Sequence, residues 1–194
     1  MIIGIGDSLM TGLNSRIPHT LPAGNIPTHK GPEFRGGNFI TGADADATSV
    51  GQILSHYNPS VCGLSKGNTS LIFCYGPICA AGTKAVPFEP ESTGLNAAQS
   101  GSWTTLHNTF NQLKYLDIYM DQFTPASLVN PWKLMFIELG FNNVCLGCAN
   151  WSNHLEFSGD HYEFQIRGLL EAIRARYSKI FITIMGPFNV SQVC

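Results

Sequence analysis

The sequence carries little charge and no long hydrophobic run, and each absence excludes a class of protein. Charged residues make up 12% of the 194 residues, and the formal net charge at pH 7 is −2. A nucleic-acid-binding domain would carry a basic face instead. No apolar run approaches the roughly 20 residues of a membrane-spanning helix. We therefore expect neither a nucleic-acid partner nor a transmembrane segment in this chain.

A secretory signal, an internal repeat and low-complexity segments are also missing from the sequence. The chain opens directly on strand-type residues, without the basic segment and the cleavage site of a signal peptide. Its 194 residues and 44% hydrophobic content fit one domain with a buried core. We therefore expect a single domain over residues 1–194.

Cysteine is present in an even number, which bears on the compartment. The six residues are Cys62, Cys74, Cys79, Cys145, Cys148 and Cys194. Their number favours three disulfides in a secreted protein, with a pairing that the sequence does not give. Free buried thiols are the alternative, and a zinc site ranks last because the closely spaced pairs are far apart in sequence with apolar surroundings. Asn-x-Ser/Thr acceptor sites at Asn68, Asn150 and Asn189 are compatible with a secretory route.

Strand-type and helix-type segments alternate along the chain. Short apolar runs predict strands over residues 1–5, 71–75, 133–139 and 180–185, with a further strand tip over 95–98. Apolar residues at helical spacing predict helices over 49–56, 103–120 and 161–176, and the Pro- and Gly-rich residues 14–46 predict a long loop. This alternation indicates an α/β fold in which helices cover both faces of a parallel sheet.

Two polar motifs follow predicted strands at the point where each strand ends. They are Gly6-Asp7-Ser8-Leu9 and Gly140-Phe141-Asn142-Asn143. The carboxyl ends of parallel strands share one edge of a sheet, where open α/β folds bind ligands. Ser8 is therefore the candidate nucleophile, and Asn142 is a candidate amide donor to an oxyanion. The simpler alternatives are that Ser8 is an ordinary helix N-cap and that Asn142 forms a turn.

These motifs resemble the GDSL/SGNH hydrolase family and, within it, the phospholipase B-like branch. The first motif matches the block that carries the nucleophile, here Ser8. Arg35-Gly36 with Thr41-Gly42-Ala43-Asp44 resembles the second block, whose glycine donates a backbone N–H to the oxyanion; here that glycine is Gly42. Residues 95–101 resemble a strand end of the branch, and residues 140–148 resemble the third block, in which the asparagine, here Asn142, supplies the amide. The resemblance covers nearly all of the chain.

The resemblance implies the SGNH hydrolase fold, a three-layer αβα sandwich around a flavodoxin-like parallel sheet. It also implies hydrolysis of carboxylic esters, in particular fatty acyl esters of glycerophospholipids. It implies no metal or organic cofactor, a lipid or other ester as the substrate, and contact with a membrane surface in a secreted or secretory-lumen protein. Asp7 and Gly140 then have structural roles beside the nucleophile. A carbohydrate or acetyl esterase on the same fold, and a non-catalytic protein that keeps the pocket, are the alternatives.

Two departures from the family pattern matter. Asn143 stands where the family has an aspartate, an acid that is mainly structural. The Asp-x-x-His block, which supplies the general base and its orienting acid, is absent from this chain. Of the histidines, His154 and His161 rank slightly ahead on position alone, and we identify none as the base; the others are His19, His29, His56 and His107.

The block normally lies well beyond the strand predicted over 180–185, whereas this sequence ends at Cys194. We therefore expect a chain that lacks the last strand and helix and a piece just before the first strand. Such a chain should show little or no esterase activity by itself, with an exposed edge and apolar face at the strand over 180–185.

Overall fold

Three parallel strands form the sheet in the part of the chain that the computed structural model describes, residues 1–13, 15–16, 32–69, 89–104, 106–148 and 157–187. They are β1 (Ile2–Gly6), β2 (Lys133–Glu138) and β3 (Ile180–Met185), in that spatial order. Gly6 pairs with Glu138, and Glu138 pairs with Met185, so the three carboxyl ends lie at one edge. The predicted α/β class with a parallel sheet is confirmed.

Helices connect these strands. They are α1 (Ser8–Thr11), α2 (Val50–Tyr57), α3 (Pro90–Thr93), α4 (Leu106–Phe123), α5 (Phe141–Cys148) and α6 (Gly159–Arg176), with a 3₁₀ turn over Arg35–Gly37. The predicted helix near residue 50 begins where Ser49 caps it, because the Ser49 Oγ accepts the Gln52 N–H at 2.9 Å. Each of the three helices predicted from periodicity is confirmed.

The helices cover both faces of the sheet, which explains why β1 and β2 are almost entirely apolar. One buried cluster joins alternate residues of β1 and β2 to α4 and α6; it includes Ile3, Ile5, Met135, Ile137, Leu113, Leu116, Leu169 and Ile173. On the opposite face, a second cluster joins the remaining strand residues to α1 and α2; it includes Ile2, Phe136, Met10, Val50 and Leu54.

The segment predicted as a strand tip over residues 95–98 runs parallel to β1 on its free side. The Gly4 N–H donates to the Leu95 carbonyl oxygen at 3.1 Å, and the Ala97 N–H donates to the Gly4 carbonyl oxygen at 2.8 Å. This segment therefore extends the sheet locally beside the strand that leads to Ser8.

The structure differs from the sequence-based expectation on two helix and strand faces. The apolar run of β3 is typical of a buried strand, but β3 is an edge strand of the described sheet, with Phe181 63% and Ile184 45% exposed, in agreement with the exposed edge and apolar face expected over residues 180–185. On α4, Phe110 and Ile118 match the helical spacing yet are exposed, because the helix turns Leu113 toward the sheet. The strand predicted over 71–75 and most of the loop predicted over 14–46 lie outside the described residues.

The cysteines do not bear out the expected disulfide framework. Cys62 is a half-buried free thiol and Cys145 is an exposed free thiol. Burial raises the pKa of the Cys62 thiol. Cys74, Cys79 and Cys194 lie outside the described residues. A framework that pairs all six cysteines is therefore not found. Among the helices that can be described, none is long and apolar enough to span a membrane.

Candidate active site

Ser8 lies directly after β1, as predicted, and begins the one-turn helix α1. The N-cap of this helix is Asp7 rather than Ser8, because the Asp7 Oδ1 accepts the Leu9 N–H at 3.1 Å. The Ser8 carbonyl oxygen accepts the Thr11 hydroxyl and the Leu13 N–H, both at 3.0 Å. The Ser8 hydroxyl and backbone N–H have no hydrogen-bond partner within the described ranges. Both groups are thus available to a ligand.

Asn142 and Asn143 join the start of α5 to residues 102–104. The Asn142 Nδ2 donates to the Ser102 carbonyl oxygen at 2.9 Å, and its second hydrogen has no partner in the part of the chain described. The Asn143 Oδ1 accepts the Thr104 N–H at 3.1 Å, and the Asn143 side chain is buried. Asn143 therefore supplies a buried structural acceptor beside Asn142.

Gly140 turns the chain from β2 into α5 at a position where a side chain does not fit. Its φ is +117°, which favours glycine, and an added Cβ would lie 2.7 Å from the Tyr162 Cε2. The Tyr162 hydroxyl donates to the Leu139 carbonyl oxygen at 3.1 Å. The start of α6 thus packs over this turn, and Tyr162 borders the site although the sequence analysis did not single it out.

The Gly42 N–H is not free in this structure, contrary to the role that the resemblance implied. It donates to the Asn38 carbonyl oxygen at 3.0 Å, and the Ala43 N–H donates to the Ser65 carbonyl oxygen at 2.8 Å. Glycine is needed at this position for packing, because an added Cβ would lie 2.4 Å from the Asn38 oxygen. The loop does contact α1, since the Asn38 Nδ2 donates to the Met10 carbonyl oxygen at 2.7 Å.

Two buried carboxyl groups flank the nucleophile at the ends of β1 and β2. Burial raises the pKa of Asp7 to about 6, against the opposing effect of the Leu9 and Phe141 backbone N–H groups. Burial, together with the smaller effect of the nearby Asp7 charge, raises the pKa of Glu138 to about 8. At neutral pH, Asp7 is therefore mainly ionised and Glu138 mainly protonated. In the sequence, the signal of this pair is Glu138, an acidic residue within the apolar run that forms β2.

A fully buried ion pair links residues 33–35 to α1. The Arg35 guanidinium lies 2.7 Å from the Glu33 carboxylate, and neither side chain has any exposed area. The Ser100 Oγ donates to the Glu33 Oε1 at 2.7 Å and lies 2.9 Å from the Thr11 Oγ1. Arg35 also donates to the carbonyl oxygens of Asn96 and Ala98. The helix that carries Ser8 is therefore anchored by buried polar contacts.

Neither His56 nor His161, whose side chains the structure describes, forms a hydrogen bond with Ser8; the side chain of His107 lies outside the described part of the chain. The His161 Nε2 lies 3.0 Å from the Gln165 Nε2, and the His161 ring is 6.5 Å from the Phe164 ring. His56 instead packs edge-on against Tyr57. His154, His19 and His29 lie outside the described residues. The described part of the chain therefore contains the predicted nucleophile and amide without a base hydrogen-bonded to the nucleophile.

Curated relatives match the chain along almost all of its length. It is 24% identical to phospholipase B1, membrane-associated, of Mus musculus, and 23% identical to the Rattus norvegicus protein of the same name. Each match covers 98% of this chain and 11% of the relative, so the chain spans about a tenth of the length of these proteins. No family model and no solved structure matches the chain. The similarity supports a distant relationship to lipid ester hydrolases.

Proposed function

We propose that this chain is the nucleophile-bearing part of a serine ester hydrolase of the GDSL type, similar to phospholipase B and acting on fatty acyl esters of phospholipids. The observation that carries the proposal is the pairing of two strand ends. Gly6 pairs with Glu138, and Ser8 and Asn142 follow these residues on neighbouring strands. The similarity to phospholipase B1 supports a lipid ester as the substrate.

In the proposed reaction, the Ser8 Oγ attacks the acyl carbonyl carbon and the carbonyl oxygen becomes an oxyanion. The Ser8 N–H and the second hydrogen of the Asn142 amide donate to that oxyanion, each contributing roughly 3 kcal/mol by analogy with other oxyanion donors. The bond between the acyl carbon and the alcohol oxygen then breaks, and the alcohol leaves with the proton that the Ser8 hydroxyl has lost. Water next attacks the acyl-Ser8 ester, which releases the fatty acid and restores the Ser8 hydroxyl. Gly42 would contribute only after its N–H leaves the Asn38 carbonyl oxygen.

No general base is hydrogen-bonded to Ser8 within the described residues. Without a base hydrogen-bonded to it, the Ser8 hydroxyl is a weak nucleophile at neutral pH. Oxyanion stabilisation and substrate binding alone still accelerate acyl transfer by roughly 10³- to 10⁴-fold over water in serine hydrolases that lack a triad member. We therefore expect slow acylation of Ser8 by activated esters, even slower deacylation, and very low turnover.

A secreted protein working at a lipid surface is the setting that we propose.

Intact-mass spectrometry of the purified chain after incubation with p-nitrophenyl butyrate tests this proposal. We expect one butyryl group, located by peptide mapping on Ser8 and absent from Ser8→Ala. Ser60→Ala is the matched control because Ser60 is exposed and remote in sequence from the strand ends; it should keep the adduct. Adducts spread over many side chains, or none on Ser8, would contradict the proposal and favour a non-catalytic binding protein.

The acyl-chain dependence of the same reaction tests the lipid assignment. The rate of Ser8 acylation is measured for p-nitrophenyl acetate, butyrate and octanoate and divided by the alkaline hydrolysis rate of each ester. For a lipid hydrolase, we expect this ratio to rise with chain length. A ratio that falls from acetate to octanoate would instead identify an acetyl or carbohydrate esterase.

A further inference from the structure

The Gln112 side chain, on α4, pairs with the main chain of Gly6 as a neighbouring strand would. The Gly6 N–H donates to the Gln112 Oε1 at 2.9 Å, and the Gln112 Nε2 donates to the Gly6 carbonyl oxygen at 2.9 Å. Gln112 has no exposed area. Because Gly6 lies two residues before Ser8, this contact fixes the end of the strand from which the nucleophile projects.

The same amide also reaches the segment that holds Asn142. The Gln112 Nε2 donates to the Ser102 Oγ at 3.2 Å, and the Ser102 carbonyl oxygen accepts the Asn142 Nδ2 at 2.9 Å. Gln112 therefore uses both of its amide hydrogens and its oxygen on partners at the two sides of the site. A single buried side chain connects the strand end before Ser8 to the residue that orients Asn142.

We propose that Gln112 is a positioning residue that sets the distance between the Ser8 hydroxyl and the Asn142 amide; this inference rests on the proposed function. An amide is the side-chain group that donates to a carbonyl and accepts from an N–H at the same time while remaining uncharged. Methionine has a similar length and can do neither well. An ionised carboxylate can accept from the Gly6 N–H, but it would repel the Gly6 carbonyl oxygen.

A positioning role and a purely structural role of Gln112 predict different rates of Ser8 acylation in folded variants. A structural role would lower the free energy of unfolding and leave the chemistry of folded molecules unchanged. A positioning role lowers the maximal rate of Ser8 acylation, because a displacement of about 1 Å can cost roughly 100-fold in rate. It should leave the half-saturating ester concentration nearly unchanged, because Gln112 is fully buried and does not face bound substrate.

The experiment measures Ser8 acylation by p-nitrophenyl butyrate in the unaltered chain, in Gln112→Met and in Gln122→Met. Gln122 lies on the same helix but is exposed, so it is the matched control. We expect a 10- to 100-fold lower maximal rate for Gln112→Met, with a native circular dichroism spectrum, and no change for Gln122→Met. An unchanged maximal rate in folded Gln112→Met would overturn the inference.

Gln112→Glu provides a second test that does not depend on the stability of the methionine variant. When protonated, this glutamic acid can donate an O–H to the Gly6 carbonyl oxygen and accept the Gly6 N–H; when ionised, it can only accept. We expect its acylation rate, divided by that of the unaltered chain at each pH, to approach one at low pH and to fall as pH rises. Taking the ratio removes the pH dependence that the two proteins share, and Asp7 and Glu138 are the titratable groups at the neighbouring strand ends.

A pH-independent ratio would overturn the positioning role. If the unaltered chain is not acylated at Ser8 at all, the proposed function fails and the inference fails with it. If the unaltered chain is acylated and the Gln112 variants react at the same rate, only the inference fails. The two failures are thus distinguished by the reaction of the unaltered chain.

Discussion

The backbone N–H of Asp7 donates to the carbonyl oxygen of Glu138 at 3.2 Å, which places two buried carboxyl groups at adjacent strand ends. The Glu138 Oε2 has no hydrogen-bond partner in the described part of the molecule. A buried carboxyl group with incomplete hydrogen bonding is more favourable when neutral, because ionisation would bury an uncompensated charge. The site therefore combines an ionised Asp7 with a protonated Glu138 near neutral pH.

This pair predicts that the fold loses stability as pH rises. The pKa of Asp7 is raised from 3.8 to about 6, and that of Glu138 from 4.5 to about 8. At pH values between the ordinary pKa and the raised pKa of each group, the folded state binds more protons than the unfolded state. The free energy of unfolding therefore falls as pH rises. The contribution is fully present below about pH 4, is lost progressively up to about pH 8, and is constant above that value. Urea unfolding at a series of pH values measures this slope.

Glu138→Gln should remove most of the loss of stability that occurs as pH rises, and it should raise the free energy of unfolding at pH 8. One pKa unit corresponds to about 1.4 kcal/mol, so the expected gain is of the order of a few kcal/mol. Glu163→Gln is the control, because the Glu163 side chain is 67% exposed and pairs only at the surface with Arg167. The assignment would be wrong if both variants shifted the unfolding midpoint at pH 8 by the same small amount.

Gly6→Ala is expected to destabilise the fold and to displace the nucleophile. An added Cβ at Gly6 would lie 2.6 Å from the Met10 Cβ and 2.7 Å from the Glu138 carbonyl oxygen, and both neighbours are buried. Such overpacking costs about 1–3 kcal/mol. Gly159→Ala is the control, since no atom lies within 4 Å of the added Cβ and alanine favours helices. Equal unfolding midpoints for the two variants would contradict this prediction.

The strand ends that carry the site could be predicted because their signals are local. Each of β1 and β2 is an apolar run that stops at a polar motif, and this places Ser8 and Asn142 beyond neighbouring strand ends. The helix after Ser49 was also predictable, since a capping hydroxyl precedes the apolar periodicity. Local patterns of this kind are sufficient for the α/β class and for the positions of Ser8 and Asn142 after two neighbouring strand ends.

The remaining features depend on contacts between distant parts of the chain. Gln112 is 106 residues away from Gly6, and in the sequence it is one more polar residue of an amphipathic helix. The Gly42 N–H is occupied because of the way its loop folds back on Asn38, which no motif reveals.

Asn142→Ala and Asn143→Ala are expected to have different effects although the residues are adjacent. Asn142→Ala removes the amide proposed as an oxyanion donor, so Ser8 acylation should fall by about 10²- to 10³-fold. Asn143→Ala leaves the buried Thr104 N–H without its acceptor and should lower the free energy of unfolding by about 1–3 kcal/mol. Acylation rates and urea unfolding are measured on both variants. If Asn143→Ala lowered acylation as much as Asn142→Ala, the amide role assigned to Asn142 would be refuted.

Removing one charge of the buried Arg35–Glu33 pair should lower the free energy of unfolding more than replacing both residues with apolar ones. Arg35→Met leaves the Glu33 carboxylate buried with no countercharge, and such a loss destabilises proteins by about 3–5 kcal/mol. Arg35→Met with Glu33→Met removes both charges, so the double variant should be less destabilised than the sum of the single variants. Arg167→Met, which breaks an exposed pair, should cost at most about 1 kcal/mol. Urea unfolding of these variants forms a double-mutant cycle, and additive single effects would show that the two charges are not coupled.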